Sequence, residues 1–238
     1  MNILITNDDG ANAEQLIPLA KWCRKLGDVT IVVPKSEQSA KSHSIEIRSA
    51  IEIKQVECED DLVMWTVDST PADCVRFAVF ALQKTFDLVI SGINRGYNLG
   101  NDIFYSGTLA AASEAVNKGI PAIALSTSIK YYDNAVAHLD EIFSYVHQSN
   151  LLKLGNLYNI NIPVAPKGLR ITRKGGRAFR EEFTPMGGDF YFPSGKPMRT
   201  DGTDLNIDID AVAKGYISIT PMTIERTDLA VFEKLSNR

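Results

Sequence analysis

Four uninterrupted apolar runs restrict the folds open to this chain more than any other feature: NILIT from Asn2, DVTIVVP from Asp28, FDLVIS from Phe86 and PAIALSTS from Pro121. A strand with one wet face alternates apolar and polar residues, whereas a run that is apolar throughout is covered on both faces, as in a parallel sheet between helices. The stretches between the runs have helical spacing. Leu16, Ile17, Leu19, Ala20 and Cys23 recur at helical intervals before Gly27, and in DSTPADCVRFAVFAL the Thr70-Pro71 pair reads as an N-cap followed by the favoured first helical residue. YSGTLAAASEAVNKG reads as an alanine-rich helix opened by Ser106 or Thr108, and NAVAHLDEIFSYVHQ as an amphipathic one. The expectation is an α/β fold, a mostly parallel sheet flanked by helices.

Two segments break this rhythm. After the polar loop SEQSAKSHS, the period-2 runs IEIR and IEIK predict an inserted β-ribbon, with LVMWTV as a further strand. From about Asn159 the texture changes to short strands and turns, NINIP, RITR and FYFPSG, ending in a short helix and strand within DIDAVAKGYISITPM. The expected division is a catalytic core over 1–158 and a β-rich C-terminal extension over 159–238, packed on the core and serving oligomerisation.

Composition sets outer limits. A net charge of −4 among 238 residues lacks the basic footprint of a nucleic-acid binder. Three scattered cysteines, Cys23, Cys58 and Cys74, suggest neither a disulfide framework nor a zinc site. No apolar run approaches the roughly 20 residues that cross a bilayer, so the expectation is a cytoplasmic chain with no membrane or nucleic-acid partner.

In open parallel sheets, ligands bind beyond the carboxyl ends of the strands, near the switch in strand order. Asp8 and Asp9 follow the first strand, Ser39 lies after the second and Asn94 follows FDLVIS. Carboxylate, hydroxyl and amide oxygens suit a hard divalent cation such as Mg²⁺ or Mn²⁺. Alone, Asp8-Asp9-Gly10 is explained as readily by a solvated turn; the other strand-end oxygens shift the balance to a metal. Further on, Ser106, Gly107 and Thr108 open a helix, whose free N–H groups bind anions, although capping alone would also place Ser or Thr there. A cation site and an anion site one loop apart describe a phosphate-processing centre.

Competing motifs fail on spacing. There is no Walker A loop, no GxGxxG fingerprint and no GxSxG elbow. A signalling receiver domain needs an aspartate where FDLVIS ends in Ser91-Gly92, and a haloacid dehalogenase needs Asp-x-Asp where this chain has adjacent carboxylates.

ILITNDDG, QSAKSHSI, TPADCV, DLVISGINRGYNLG with its GIN.G.N.G pattern, YSGTLAAASEA, NINIP and GYISITP, in this order, closely resemble the SurE survival protein family of metal-dependent nucleotide phosphatases. The resemblance implies a Rossmann-like core, one cation per subunit held by Asp8, Asp9, Ser39 and Asn94, and phosphate contacts from Asn94, Ser106, Gly107 and Thr108. It further implies a homodimer or homotetramer that exchanges C-terminal segments. The activity implied is release of phosphate from nucleoside 5′-monophosphates, extending to 3′-monophosphates and short polyphosphate. Asp8, Asp9 and Asn94 are the expected catalytic residues, with water attack assisted by the metal and Asp8 or Asp9 as base, Asp8 being favoured; direct attack by one of these aspartates is the rival route. A metal-dependent nucleotide sensor without turnover is the alternative function. The tail IERTDLAVFEKLSNR keeps Asp228 but lacks the histidine that many family tails carry.

Overall fold

The computed structural model describes residues 1–177, 179–197 and 202–236. In chain order, β1 (Asn2–Thr6), α1 (Leu16–Cys23), β2 (Asp28–Pro34), β3 (Ile53–Glu57), β4 (Val63–Val67) and α2 (Pro71–Ala81) form the first half of the core. β5 (Leu88–Arg95), α3 (Gly107–Asn117), β6 (Ala122–Thr127), α4 (Leu139–Gln148), α5 (Leu151–Leu154) and β7 (Leu157–Ile162) form the second. β8 (Leu169–Ile171), β9 (Phe179–Gly187), β10 (Phe190–Pro197), α6 (Asp208–Ala213), β11 (Ile217–Met222) and α7 (Leu229–Ser236) complete the chain.

Nine strands make one sheet in the order β3-β4-β2-β1-β5-β6-β7-β11-β8. From β4 to β7 every neighbouring pair is parallel, as the continuous apolar runs predict. Alternate residues of β1 enter opposite layers. Ile3 and Ile5 pack with Leu16, Leu19 and Ile142 of α1 and α4, while Leu4 packs with Val75, Ala78 and Ala111 of α2 and α3. The strand order reverses at β1, with β2 on one side and β5 on the other, so the ends of β1 and β5 frame the crevice where such sheets take ligands.

The boundary drawn at 158/159 falls inside β7. β11 pairs antiparallel with β7, and β8 pairs parallel with β11, so the C-terminal portion extends the same sheet. β9 and β10 form a separate antiparallel ribbon.

Three local expectations change in the structure. IEIK contributes to β3, the antiparallel edge partner of β4, but no strand forms over 45–48. There the backbone is claimed locally: the Glu46 N–H donates to Asp73 Oδ2 at 2.8 Å, and Glu46 Oε1 accepts from the N–H groups of Arg48 and Ser49 at 2.6 and 3.0 Å. Side-chain bonds of this kind compete with a ladder. The amphipathic helix expected from Asn134 is 3₁₀ over Ile129–His138, started by Ser128 accepting from the Lys130 N–H, and becomes α-helical only at Leu139. The tail, to which no element is assigned above, forms α7, with its Phe232 and Leu235 exposed.

Candidate active site

The turn after β1 is closed by its first residue. Asn7 Nδ2 donates to the Gly10 carbonyl at 3.0 Å and Asn7 Oδ1 accepts from the Gly10 N–H at 3.1 Å, a reciprocal pair that fixes the two aspartates between them. Gly10 sits at φ +90°, and an added Cβ would lie 2.9 Å from the Ser36 carbonyl carbon, so glycine is required at this close approach.

Asp8 is buried, and its Oδ1 accepts the Thr108 hydroxyl proton at 2.6 Å. Burial pushes its pKa up, while the Thr108 hydrogen bond and the Gly107 and Thr108 amides pull it back. Those amides belong to the first turn of α3. Ser106 is the N-cap, its Oγ accepting from the Leu109 N–H at 3.1 Å, so the capping role falls to Ser106 and leaves Thr108 for Asp8.

Asp9 Oδ2 accepts the Arg95 backbone N–H at 3.0 Å. Burial and the neighbouring Asp8 charge push its pKa up to about 6. The Arg95 guanidinium, 5.8 Å from the Tyr132 ring centroid, relieves it only slightly. Asn94, beside Arg95 on β5, donates through Nδ2 to the Gly96 carbonyl at 2.9 Å; among the described residues its Oδ1 has no partner.

Ser39 is drawn in less directly. The Gln38 N–H donates to the Asp8 carbonyl at 2.7 Å, which ties the loop after β2 to the β1 turn. The Ser39 hydroxyl donates to Glu37 Oε1 at 2.7 Å and is exposed. Asp8, Gly107 and Thr108 are thus in direct contact, Asp9 and Asn94 meet through the end of β5, and Ser39 sits on the loop that borders them.

The model for the survival protein SurE matches residues 3–181. The 5′-nucleotidase SurE of Pelotomaculum thermopropionicum is 40% identical over 99% of this chain and 94% of its own, and that of Caldanaerobacter subterraneus is 38% identical over 99% and 96%. The crystal structure of the SurE protein from Aquifex aeolicus superposes with a TM-score of 0.82 at 31% identity, covering 100% of this chain and 99% of that one. The chain belongs to the SurE survival protein family.

The geometry brings in a further residue, Asn98, which lies in the quoted glycine-rich motif but was given no role there. Asn98 is buried, and its Nδ2 donates to Ser126 Oγ at 2.8 Å and, at the limit of 3.4 Å, to Thr108 Oγ1. Its backbone is held by two more asparagines. The Asn98 N–H donates to Asn161 Oδ1 at 2.9 Å, and its carbonyl accepts from Asn159 and Asn161 Nδ2 at 2.8 and 3.0 Å. The sequence carries two traces of this, Asn98 in the GIN.G.N.G pattern and the polar pair Asn159 and Asn161 interrupting an apolar strand.

The oxygen set of this SurE site suits a hard cation on electrostatic grounds. Two adjacent carboxylates are raised by burial, and one further by the other, with little help from a positive side chain. A divalent ion would supply the charge they lack, and Asn94 Oδ1 could add a neutral oxygen. Among the described residues no three His, Cys, Asp or Glu side chains cluster, so a four-ligand site here depends on Ser and Asn oxygens. No helix among the described residues is long and apolar enough to cross a membrane.

Proposed function

We propose that this chain is a metal-dependent phosphohydrolase that releases phosphate from nucleoside 5′-monophosphates, with 3′-monophosphates and short polyphosphate as further substrates. One observation carries the reading. The Asp8 carboxylate at the end of β1 is bonded to Thr108 in the first turn of α3, so the oxygen donors for a cation and the N–H donors for an anion converge on one point. The relatives named 5′-nucleotidase SurE support the activity.

Asp8, Asp9, Asn94 and Ser39 would hold one divalent cation, Mg²⁺ or Mn²⁺, per subunit. When bound, such an ion polarises a phosphate oxygen and lowers the pKa of water towards about 7. The protein supplies the rest. Ser106 fixes the first turn of α3, and the turn aims its amides and dipole at the crevice. Asn98 and Thr108 hold Asp8 in one orientation. Asp9, whose Oδ2 accepts only the Arg95 backbone N–H among the described residues, is better placed than Asp8, whose Oδ1 is committed to Thr108, to take a proton from an attacking water. Exposed apolar side chains on β9, β10 and α7, among them Phe183, Phe190 and Phe232, support assembly as a homodimer or homotetramer.

The test is phosphate release from a panel of 5′- and 3′-mononucleotides with Mg²⁺ or Mn²⁺, with and without chelator. Release that stops on chelation and falls at least 100-fold in Asp9→Asn is expected. Tight nucleotide binding without turnover in the wild type would replace this reading with a sensor.

A further inference from the structure

The loop that carries Ser39 is held in its conformation from outside itself. Ala40 and Ser42 lie at φ +59° and +52°, the left-handed region that residues with a side chain enter only at a cost. Such a backbone persists where surrounding contacts over-determine it. Before Ser39, the Gln38 N–H donates to the Asp8 carbonyl at 2.7 Å. After it, the Ser42 N–H donates to the Tyr105 carbonyl at 3.0 Å, the Ser42 hydroxyl to the Phe104 carbonyl at 2.8 Å, and the Thr70 hydroxyl to the Ser44 carbonyl at 2.7 Å.

One further tie runs between two side chains. His43 Nε2 lies 3.0 Å from Glu114 Oε2, about two turns along α3. Glu114 is a buried carboxylate among the buried alanines Ala110, Ala111, Ala112 and Ala115, a place where a charge is kept only if it is paired. Its other oxygen, Oε1, pairs with Lys118 at 3.0 Å. The Lys118 contact stays within one helix, whereas the His43 contact spans 71 residues and joins that helix to the loop. The same helix holds Asp8 through Thr108 in its first turn.

Resting on the nucleotidase reading, in which Ser39 is a ligand of the cation, we propose that His43 and Glu114 are positioning residues that fix the Ser39 loop to the helix that also fixes Asp8. Two oxygens that arrive from the ends of different strands then share one rigid frame. His43 lies four residues after Ser39 and acts through the backbone between them, which contains both left-handed residues. Cutting the tie lets that stretch relax towards ordinary φ values and carries the Ser39 hydroxyl away from Asp8 and Asp9.

The experiment measures Mn²⁺ affinity, from the electron paramagnetic resonance signal of the free ion, in wild type, His43→Ala, His43→Gln, Lys118→Ala, Ser39→Ala and the double variant of His43→Ala with Ser39→Ala. Loss of a residue that orients a ligand weakens metal binding about 10- to 100-fold, so His43→Ala is expected to lose at least about tenfold. His43→Gln, whose amide nitrogen can still donate to Glu114, retains most of the affinity. Lys118→Ala removes the other partner of the carboxylate but leaves the loop tied, and is expected to bind Mn²⁺ as wild type does. In Ser39→Ala, adding His43→Ala costs nothing more, because the ligand that it positions is gone. Equal losses in His43→Ala and Lys118→Ala, or a further loss in the double variant, overturn the proposal. Hydrogen exchange of metal-free protein needs no ion: the Gln38 and Ser42 amides should exchange about tenfold faster in His43→Ala, and unchanged exchange also overturns it. If wild type binds no Mn²⁺ and releases no phosphate while His43→Ala quickens exchange at Gln38 and Ser42, the clamp stands and the nucleotidase reading falls.

Discussion

Thr108 donates its hydroxyl hydrogen bond to Asp8 Oδ1 across 2.6 Å, joining two residues 100 positions apart in the chain. The contact ties the end of β1 to the first turn of α3, so neither the carboxylate nor the helix amides can move without the other. Removing the hydroxyl while keeping the shape tests its weight. Thr108→Val leaves a buried carboxylate without its side-chain donor, a loss of about 1.5–3 kcal/mol for a bond to a charged group. We expect kcat/KM for AMP to fall about 10- to 100-fold, with the far-ultraviolet circular dichroism unchanged.

Gly107 is held to glycine by the same aspartate. A Cβ added there would lie 2.8 Å from Asp8 Cβ, closer than real side chains approach, and Asp8 Cβ cannot yield without carrying its carboxylate along. Gly107→Ala should therefore fold, because alanine favours a helix, yet lose about 100-fold in turnover through displacement of Asp8. Thermal melting and phosphate release measured on the same sample separate the two effects.

The Asp9 pKa, pushed up from 3.8 to about 6, predicts how metal-free protein responds to pH. Between those values the folded state holds a proton that the unfolded chain has released, so stability falls as pH rises through this window. A divalent ion that bound the ionised form in the folded state only would stabilise it. The melting temperature of chelated protein should drop between pH 4 and 6, and the gain on adding Mg²⁺ or Mn²⁺ should be larger at pH 7.5 than at pH 5. An equal gain at both pH values counts against Asp9 as a ligand.

Glu114 has the opposite sign. Burial opposes its ionisation, but His43 and Lys118 together outweigh burial and hold its pKa down at about 2, against an ordinary 4.5. Its ionised form then stabilises the folded state at neutral pH, a contribution that disappears as pH falls from about 4.5 to 2. Urea denaturation of wild type and Glu114→Gln should show a clear gap at pH 7 that narrows at pH 3. A gap of constant size would assign the cost to packing.

Much of this was legible in the linear chain because it depends on neighbours in sequence. Apolar runs such as DVTIVVP announced buried parallel strands, and Thr70-Pro71 announced the start of α2, where the Thr70 hydroxyl does accept the Asp73 N–H at 3.2 Å. The candidate residues Asp8, Asp9 and Asn94 were legible because they are polar groups placed just where those runs end. IEIR was misleading for a physical reason: its alternation is that of a strand, but the buried Asp73, 27 residues from Glu46, took the N–H that a partner strand would have needed.

The sequence by itself determined most of the strands, most of the helices and the polar residues at their ends, since apolar periodicity and capping act over a few residues. Only the tertiary structure decided which of those ends meet. Reversal of strand order at β1 brought β5 alongside it, the packing of α3 on the sheet brought Thr108 and Gly107 against Asp8, and Asn98 was recruited through Asn159 and Asn161 from a strand more than 60 residues away. Hydrogen bonds and electrostatic fields act through space, and the chain order of the donors carries no record of the distances between them.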